Sequence, residues 1–256
     1  MASGAPDRFS FRAALYARSR PCWPELLMQW IRAQAAGGES CWDVGTGTGQ
    51  VAGLAARYFE RVHATDVSAA QLAQAPATPG VSYAVEPAER TALPTASVDA
   101  VLVGAAAHWL ELPEFYREVR RVSRPGGVLA MFSYGIRIAG EPELQAVIDR
   151  YASTILAPWW SQRLALVEAA YEPMPFPFEE IAIPSFAATS TGDLQSLEDL
   201  LRTWSAAQRM AQVTGTDPVN TIREALRSAW TRTAPADVPR TLHWPIFARV
   251  GRVHAR

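Results

Sequence analysis

Between Ser40 and Tyr134 short apolar runs alternate with segments of helical character, at the spacing of repeated strand–helix–strand units. The runs predict strands at Ser40–Val44, Val62–Asp66, Val81–Val85, Val98–Gly104 and Val128–Tyr134. Near-continuous apolar strands of this kind belong to parallel sheets covered on both faces by helices. Ser68 is placed to cap a helix running to about Ala75, and Pro113 sits in the tolerated first turn of a helix over Glu114–Val122. The run Arg124-Pro125-Gly126-Gly127 then ends that helix and turns the chain into the next strand.

Beyond Tyr134 the pattern changes. Helices are expected over Glu141–Leu156 and Ser161–Tyr171, followed by a connector with Pro173, Pro175 and Pro177 and a strand at Phe178–Ile183. Two more helices, Gly192–Gln212 and Asp217–Thr233, precede a last strand over Thr241–Val250. Trp159, Trp160, Trp204, Trp230 and Trp244 make this half rich in aromatic core material. The expected architecture is α/β: a doubly wound, seven-stranded, mostly parallel sheet with a helical cap from insertions in the C-terminal half. Residues 1–136 form its N-terminal helix and ligand-binding core. Residues 137–256 form the cap, mainly 137–177 and 192–239, and the final strands of one integrated domain.

Composition narrows the chemistry. All 24 basic residues of the 256 are Arg, against 25 acidic ones. Without Lys there is no phosphate-binding P-loop lysine, no kinase strand lysine and no Schiff-base amine. Cys22 and Cys41 form no metal-binding or disulfide pattern, and no metal site is expected. No apolar run reaches bilayer length, and the first twenty residues are broken by Pro6, Asp7 and Arg8, so a cytoplasmic protein without membrane contact is expected. The net charge of −1 gives no global attraction to nucleic acid, and the Arg117, Arg120, Arg121, Arg124 group reads as a helix face countered by Glu111, Glu114 and Glu118.

The strongest signal is Asp43-Val44-Gly45-Thr46-Gly47-Thr48-Gly49 at the junction of the first strand and its helix. Glycines let the chain turn sharply and let a ligand meet bare backbone. A dinucleotide loop would have its third glycine one position later, and Asp43 would repel a diphosphate while orienting an ammonium group. Asp66 closes the second strand, where an acid accepts hydrogen bonds from ribose hydroxyls. Nucleoside, amino-acid tail and no phosphate together describe S-adenosylmethionine.

With these residues in view, the sequence resembles the class I S-adenosylmethionine-dependent methyltransferases, and within them the UbiE-like type 11 group. The resemblance is carried by residues 43–49, by Ala64-Thr65-Asp66-Val67-Ser68, by Ala88-Glu89 with Leu93-Pro94 and Val98-Asp99, and by Arg121-Val122 with Arg124-Pro125-Gly126-Gly127-Val128-Leu129. A looser likeness to the trans-aconitate methyltransferase branch rests on Tyr16, Arg20-Pro21, His108-Trp109, Thr203-Trp204-Ser205 and Trp244-Pro245. The resemblance implies that Gly45, Gly47 and Gly49 line the methionine and ribose part of the cofactor, with Asp43 beside them. It implies that Asp66 meets the ribose, that Val67 touches the cofactor, and that Gln71, Ala88 and Glu89 lie by the adenine. It also implies an N-terminal segment with Tyr16 and Arg20 over the cofactor. Pro87 stands where many members carry an adenine-binding Asp, which shifts that contact to Glu86, Glu89 or backbone.

His108 follows the fourth strand at the ligand-binding edge, as a general base, a substrate-orienting donor or a histidine bonded at a helix entrance. Trp109, Tyr134 and Trp204 are candidate substrate contacts, each with core packing as the alternative. His63, His243 and His254 show no partner pattern. The leading expectation is methyl transfer to a small molecule, at carboxylate or hydroxyl oxygen, by a monomer or homodimer. A nucleotide-dependent oxidoreductase and a non-catalytic S-adenosylmethionine-binding protein are the rivals. Arg20, Arg137 or Arg163 reaching the acceptor would favour an acidic substrate.

Overall fold

The computed structural model describes residues 20–254. Helix α1 (Glu25–Gln34) leads into strand β1 (Ser40–Val44), helix α2 (Gln50–Ala55), strand β2 (Arg61–Asp66), the single turn α3 (Ala69–Leu72) and strand β3 (Val81–Val85). Strand β4 (Val98–Gly104), helix α4 (Leu112–Val122) and strand β5 (Ser123–Tyr134) follow. The eight-stranded sheet runs β3-β2-β1-β4-β5, continued by β8 (Arg240–Val253) and β6 (Glu179–Glu180), with β7 (Ala187–Gly192) pairing β8 off this path. β1 to β5 are mutually parallel, while β8 lies antiparallel to β5 and β6 antiparallel to β8.

All five residues of β1 are buried, which is why the strand reads as a run rather than an alternation. Its even and odd positions feed two cores. Cys41, Ala100, Val128, Ala130 and Phe132 pack on one face with Leu27, Met28 and Ile31 of α1. Trp42, Val101, Leu129 and Met131 pack on the other with Phe115, Val119 and Val122 of α4. Asp99 ties the strand beginnings together: its Oδ2 accepts the backbone N–H groups of Glu39 and Ser40 at 3.0 Å, and Arg124 Nη1 donates to both its oxygens. A buried carboxylate in such a cradle is paired on every side.

The described residues cluster into two compact units. One, the sheet unit, comprises Trp23–Gly135, Arg163–Ala188 and residues 245–254. The other, the helical unit, comprises residues 20–22, Ile136–Gln162 and Thr189–Trp244. Residues 163–177, read from sequence as cap, thus group with the sheet. In the helical unit α5 (Pro142–Arg150) runs on into a π-helical turn (Tyr151–Ile155), and α7 (Leu194–Arg202), α8 (Ser205–Thr214) and α9 (Arg223–Thr231) follow β7. Arg202, largely buried, bonds Glu198, Asp199 and Asp217, and Arg240 pairs with Glu141 while stacking on Trp230.

Several expected elements differ. The helix expected over 192–212 is two, because the chain leaves helical geometry at Trp204, which is extended at the N-cap of α8. The helix expected over 161–171 shrinks to a 3-10 turn (Gln162–Leu164) and the single turn α6 (Ala165–Glu168), ended by positive φ at Ala170 and Tyr171. The strand expected at 178–183 keeps only Glu179 and Glu180. β5 begins at Ser123, so Arg124 to Gly127 form an irregular opening of the strand rather than a separate turn. Among the described residues no helix is long and apolar enough to cross a membrane.

Candidate active site

β1 ends at Val44, and the chain then runs through Gly45 (φ 64°), Gly47 (φ 58°) and Gly49 (φ 83°) into α2. Positive φ favours glycine at each point, and at two of them space does as well. A Cβ on Gly45 would lie 2.7 Å from the Ala106 methyl, and one on Gly49 would lie 2.6 Å from the Tyr83 hydroxyl. Gly45→Ala is therefore expected to lower the melting temperature by several degrees, from about 1–3 kcal/mol of backbone strain plus the clash. Gly53→Ala, inside α2 with nothing near its added methyl, is expected to raise it by about 1–4 °C. Thermal scans of the two variants test whether the cradle or helix propensity limits substitution here.

Two carboxylates flank the loop. Asp66, at the end of β2, accepts the Gly47 N–H on Oδ2 and the Ser68 N–H on Oδ1, both at 2.8 Å. It thereby fixes the middle of the glycine loop and the entrance to α3, which Ser68 caps by accepting the Gln71 N–H. Asp43 is fully buried. Its Oδ2 accepts the Thr46 hydroxyl at 2.6 Å, while its Oδ1 has no partner among the described residues. Burial pushes its carboxyl up to about 7; the Thr46 hydroxyl and the Ala52 N–H oppose the rise and the Asp66 charge adds to it. Gln71 Oε1, near the loop, is a second buried acceptor without a partner. Unpaired buried acceptors beside bare glycine backbone fit a ligand rich in donors and carrying a cation.

At the adenine end, Ala88 is buried and Val67 is largely exposed. Glu86 and Glu89, expected to supply the contact missing at Pro87, each have a partner within the protein. Glu86 Oε2 accepts the Thr91 hydroxyl and pairs with His63 Nε2, while Glu89 Oε1 accepts the Glu111 N–H. Burial raises the Glu86 carboxyl, but Thr91, His63 and the Ala92 N–H hold it below the ordinary value. His63, for which the sequence offers no partner, thus has one.

A family profile described as a methyltransferase domain matches residues 42–131. A protein of Anaeromyxobacter dehalogenans, provisionally described as a type II methyltransferase, is 40% identical in sequence; the match covers 93% of this chain and 99% of that one, with a TM-score of 0.84. The chain belongs to the S-adenosylmethionine-dependent methyltransferases. A Dictyostelium discoideum protein, provisionally named a methyltransferase, is 27% identical over 94% of this chain and 93% of its own length. An uncharacterized methyltransferase of Mycobacterium tuberculosis is 35% identical over 133 residues, 48% of this chain and 50% of its own. The oxidoreductase alternative falls with these matches.

Past β4 the methyltransferase chain makes a second unusual turn. Ala105 has φ 53°, and the 3-10 turn Ala107–Trp109 follows. It buries His108, whose Nδ1 lies 3.1 Å from the Tyr171 hydroxyl. Trp109 packs on the His108 ring at 4.8 Å, and its carbonyl accepts Arg163 Nη1 at 2.7 Å. Arg163 also pairs with Glu111, so its guanidinium is committed to the loop. Tyr134 ends β5 against Trp23, ring centroids 5.2 Å apart. Trp204 packs between Tyr151 and Trp160 in the helical unit. Arg137 is exposed, Arg20 opens the described chain, and Tyr16 lies outside the described residues. Of the arginine group expected to share one helix face, Arg117 pairs with Glu114 and Arg121 with Glu118 on α4, while Arg124 lies on β5 and pairs with Asp99 and Glu39. Glu111, expected to counter that group, serves Arg163 instead. Tyr171 is the residue that sequence reasoning missed; no glycine or asparagine marks its left-handed turn.

Proposed function

We propose that this methyltransferase transfers a methyl group to an oxygen atom of a small-molecule acceptor. The observation that carries the reading is the buried His108 at the carboxyl edge of β4, next to Trp109 and two residues from the Ala106 methyl that abuts Gly45. A polar nitrogen on an aromatic surface suits an acceptor of mixed polar and apolar character. Arg117, Arg121 and Arg124 are each paired with carboxylates, and Arg120 donates to the Pro177 carbonyl, which favours a small acceptor over nucleic acid.

The roles follow from the chemistry of each group. S-adenosylmethionine, when bound, supplies a methyl already activated on a sulfonium. Asp43 would accept the ammonium of the amino-acid tail on its unpartnered Oδ1, the glycine backbone of residues 45–49 would meet the tail and ribose, and Asp66 would take the ribose hydroxyls. Val67, Gln71 and Ala88 would border the adenine, with backbone replacing the missing acid. Such fixed contacts hold the reacting atoms in line, which is the main catalytic task when the methyl is already electrophilic. For a carboxylate acceptor, favoured by the likeness to the trans-aconitate branch, His108 would orient the oxygen. For a hydroxyl acceptor it would take the proton. Trp109 and Tyr134 are the proposed acceptor contacts.

The test is incubation with methyl-labelled S-adenosylmethionine and a panel of carboxylic acids, phenols, alcohols and amines. Label is expected in base-labile esters or in ethers, and His108→Gln is expected to lower turnover roughly 10²–10⁴-fold for hydroxyl acceptors. Label found only on nitrogen would overturn the reading.

A further inference from the structure

The chain between β3 and β4, residues 86–97, forms neither helix nor strand. β3 is an edge strand, so the segment leaves the sheet with a neighbouring strand on one side only. A connection of this kind is ordinarily among the first parts of a fold to open. Only Ala88 and Thr91 are buried within it. Ala88 packs in the core that holds Trp42, Val44 and Ala106. Thr91 is polar, and each of its polar groups has a partner.

The Thr91 N–H donates to Glu118 Oε1 at 2.7 Å, and its carbonyl accepts Arg121 Nη2 at 3.2 Å. Glu118 and Arg121 lie three residues apart on α4 and pair with each other at 2.6 Å. One ion pair thus grips both backbone groups of one residue, as a neighbouring strand would. Arg121 Nη1 extends the grip to the Leu93 carbonyl at 2.8 Å. The Thr91 hydroxyl donates to Glu86 Oε2 at 2.6 Å, the short distance of a charge-assisted bond, and accepts the Leu93 N–H at 3.3 Å. Glu86 Oε2 also accepts the Ala92 N–H at 3.3 Å and lies 3.1 Å from His63 Nε2 on β2. Thr91 therefore joins the start of its own segment to α4, and through Glu86 to β2.

We propose that Thr91 is a positioning residue for the cofactor: through Glu86, Glu118 and Arg121 it holds residues 86–93 in shape before the cofactor arrives. Ala88 and the backbone beside it then meet the adenine without first having to be ordered, and an ordering cost avoided is affinity gained. The effect on binding rests on the reading, given above, that Ala88 borders the adenine; the hold on the segment does not.

Thr91→Val keeps the branched shape and removes the hydroxyl, whereas Thr91→Ser keeps the hydroxyl. In hydrogen exchange of the free protein, Thr91→Val should speed the amides of residues 86–93 severalfold and Thr91→Ser should leave them near wild type. By calorimetry Thr91→Val should weaken S-adenosylhomocysteine about three- to tenfold. It should weaken methylthioadenosine, which has the nucleoside without the amino-acid tail, by the same factor. Thr91→Ser should bring both affinities back to within about twofold of wild type, which a role in packing alone would not do. Unchanged exchange in free Thr91→Val, unchanged affinity for both ligands, a loss confined to S-adenosylhomocysteine, or a serine variant as weak as the valine would each overturn the proposal. If Thr91→Val does not fold, Thr91→Ala removes the same hydroxyl with less bulk and is measured in its place. S-adenosylhomocysteine should also slow exchange over 86–93 in wild type. If it does not, the reading of Ala88 as the adenine border falls, and the effect on affinity with it, while exchange in the free variants still reports the hold of Thr91 on the segment.

Discussion

Asp66→Ala is expected to weaken S-adenosylmethionine binding by about 10²–10⁴-fold, two charge-assisted hydrogen bonds being worth roughly 1.5–3 kcal/mol each. The size of the effect comes from the double duty of this side chain. Each of its oxygens accepts one backbone N–H, from Gly47 and from Ser68, and a carboxylate oxygen can accept more than one hydrogen bond. Alanine would remove the ribose acceptors and also release the middle of the glycine loop. The two losses separate in a cycle. Calorimetry with S-adenosylhomocysteine and its 2′-deoxy analogue should show a penalty for the missing hydroxyl in wild type and almost none in Asp66→Ala. Circular dichroism should show the variant folded. Unchanged affinity would remove Asp66 from the site.

The parts of the fold that were legible in advance are those with a local physical signature. β1 and β4 have their expected limits because a strand buried on both faces is a continuous apolar run between polar stops, and the partly exposed edge strand β3 keeps its expected limits too. The glycine loop was legible because positive φ at residues 45, 47 and 49 and the close approach of Ala106 and Tyr83 admit little else. What was not legible depends on partners far along the chain. β7 is a run of small and hydroxyl residues that becomes a strand only through its pairing with β8. The break at Trp204 has neither proline nor glycine, and aromatic packing on Tyr151 and Trp160 accompanies it. Glu86 carries no local sign that His63 and Thr91 claim its carboxylate. The Tyr171 turn likewise overrides local preference: Ala170 and Tyr171 adopt left-handed geometry, with the Tyr171 ring buried against Phe247 and its hydroxyl 3.1 Å from His108 Nδ1.

Asp43→Asn should separate stability from binding. In the folded chain burial raises the Asp43 carboxyl from 3.8 to about 7. A raised acid binds its proton more tightly when folded. The stability linked to that proton is therefore full below about pH 4 and is lost as pH climbs through 7. Three units at 1.36 kcal/mol each bound the loss at about 4 kcal/mol. Asparagine keeps an acceptor for the Thr46 hydroxyl and does not titrate, so the ligand-free variant should melt several degrees above wild type at pH 8 and close to it at pH 4. Binding should move the other way. An ammonium group on Oδ1 requires the carboxylate, so wild-type affinity should rise by up to tenfold per pH unit between about 5 and 7 and level off above, since the deprotonated fraction grows at that rate. Asp43→Asn should bind more weakly at pH 7.5 and lose that slope. Scanning calorimetry at the two pH values, with titration of S-adenosylmethionine across the range, measures both. A variant less stable than wild type at pH 8 would mean the charged carboxylate is not strained in the free protein. One that kept the slope would mean another group receives the ammonium. The buried charge is thus a cost borne by the empty site, offset when the cation of the cofactor arrives.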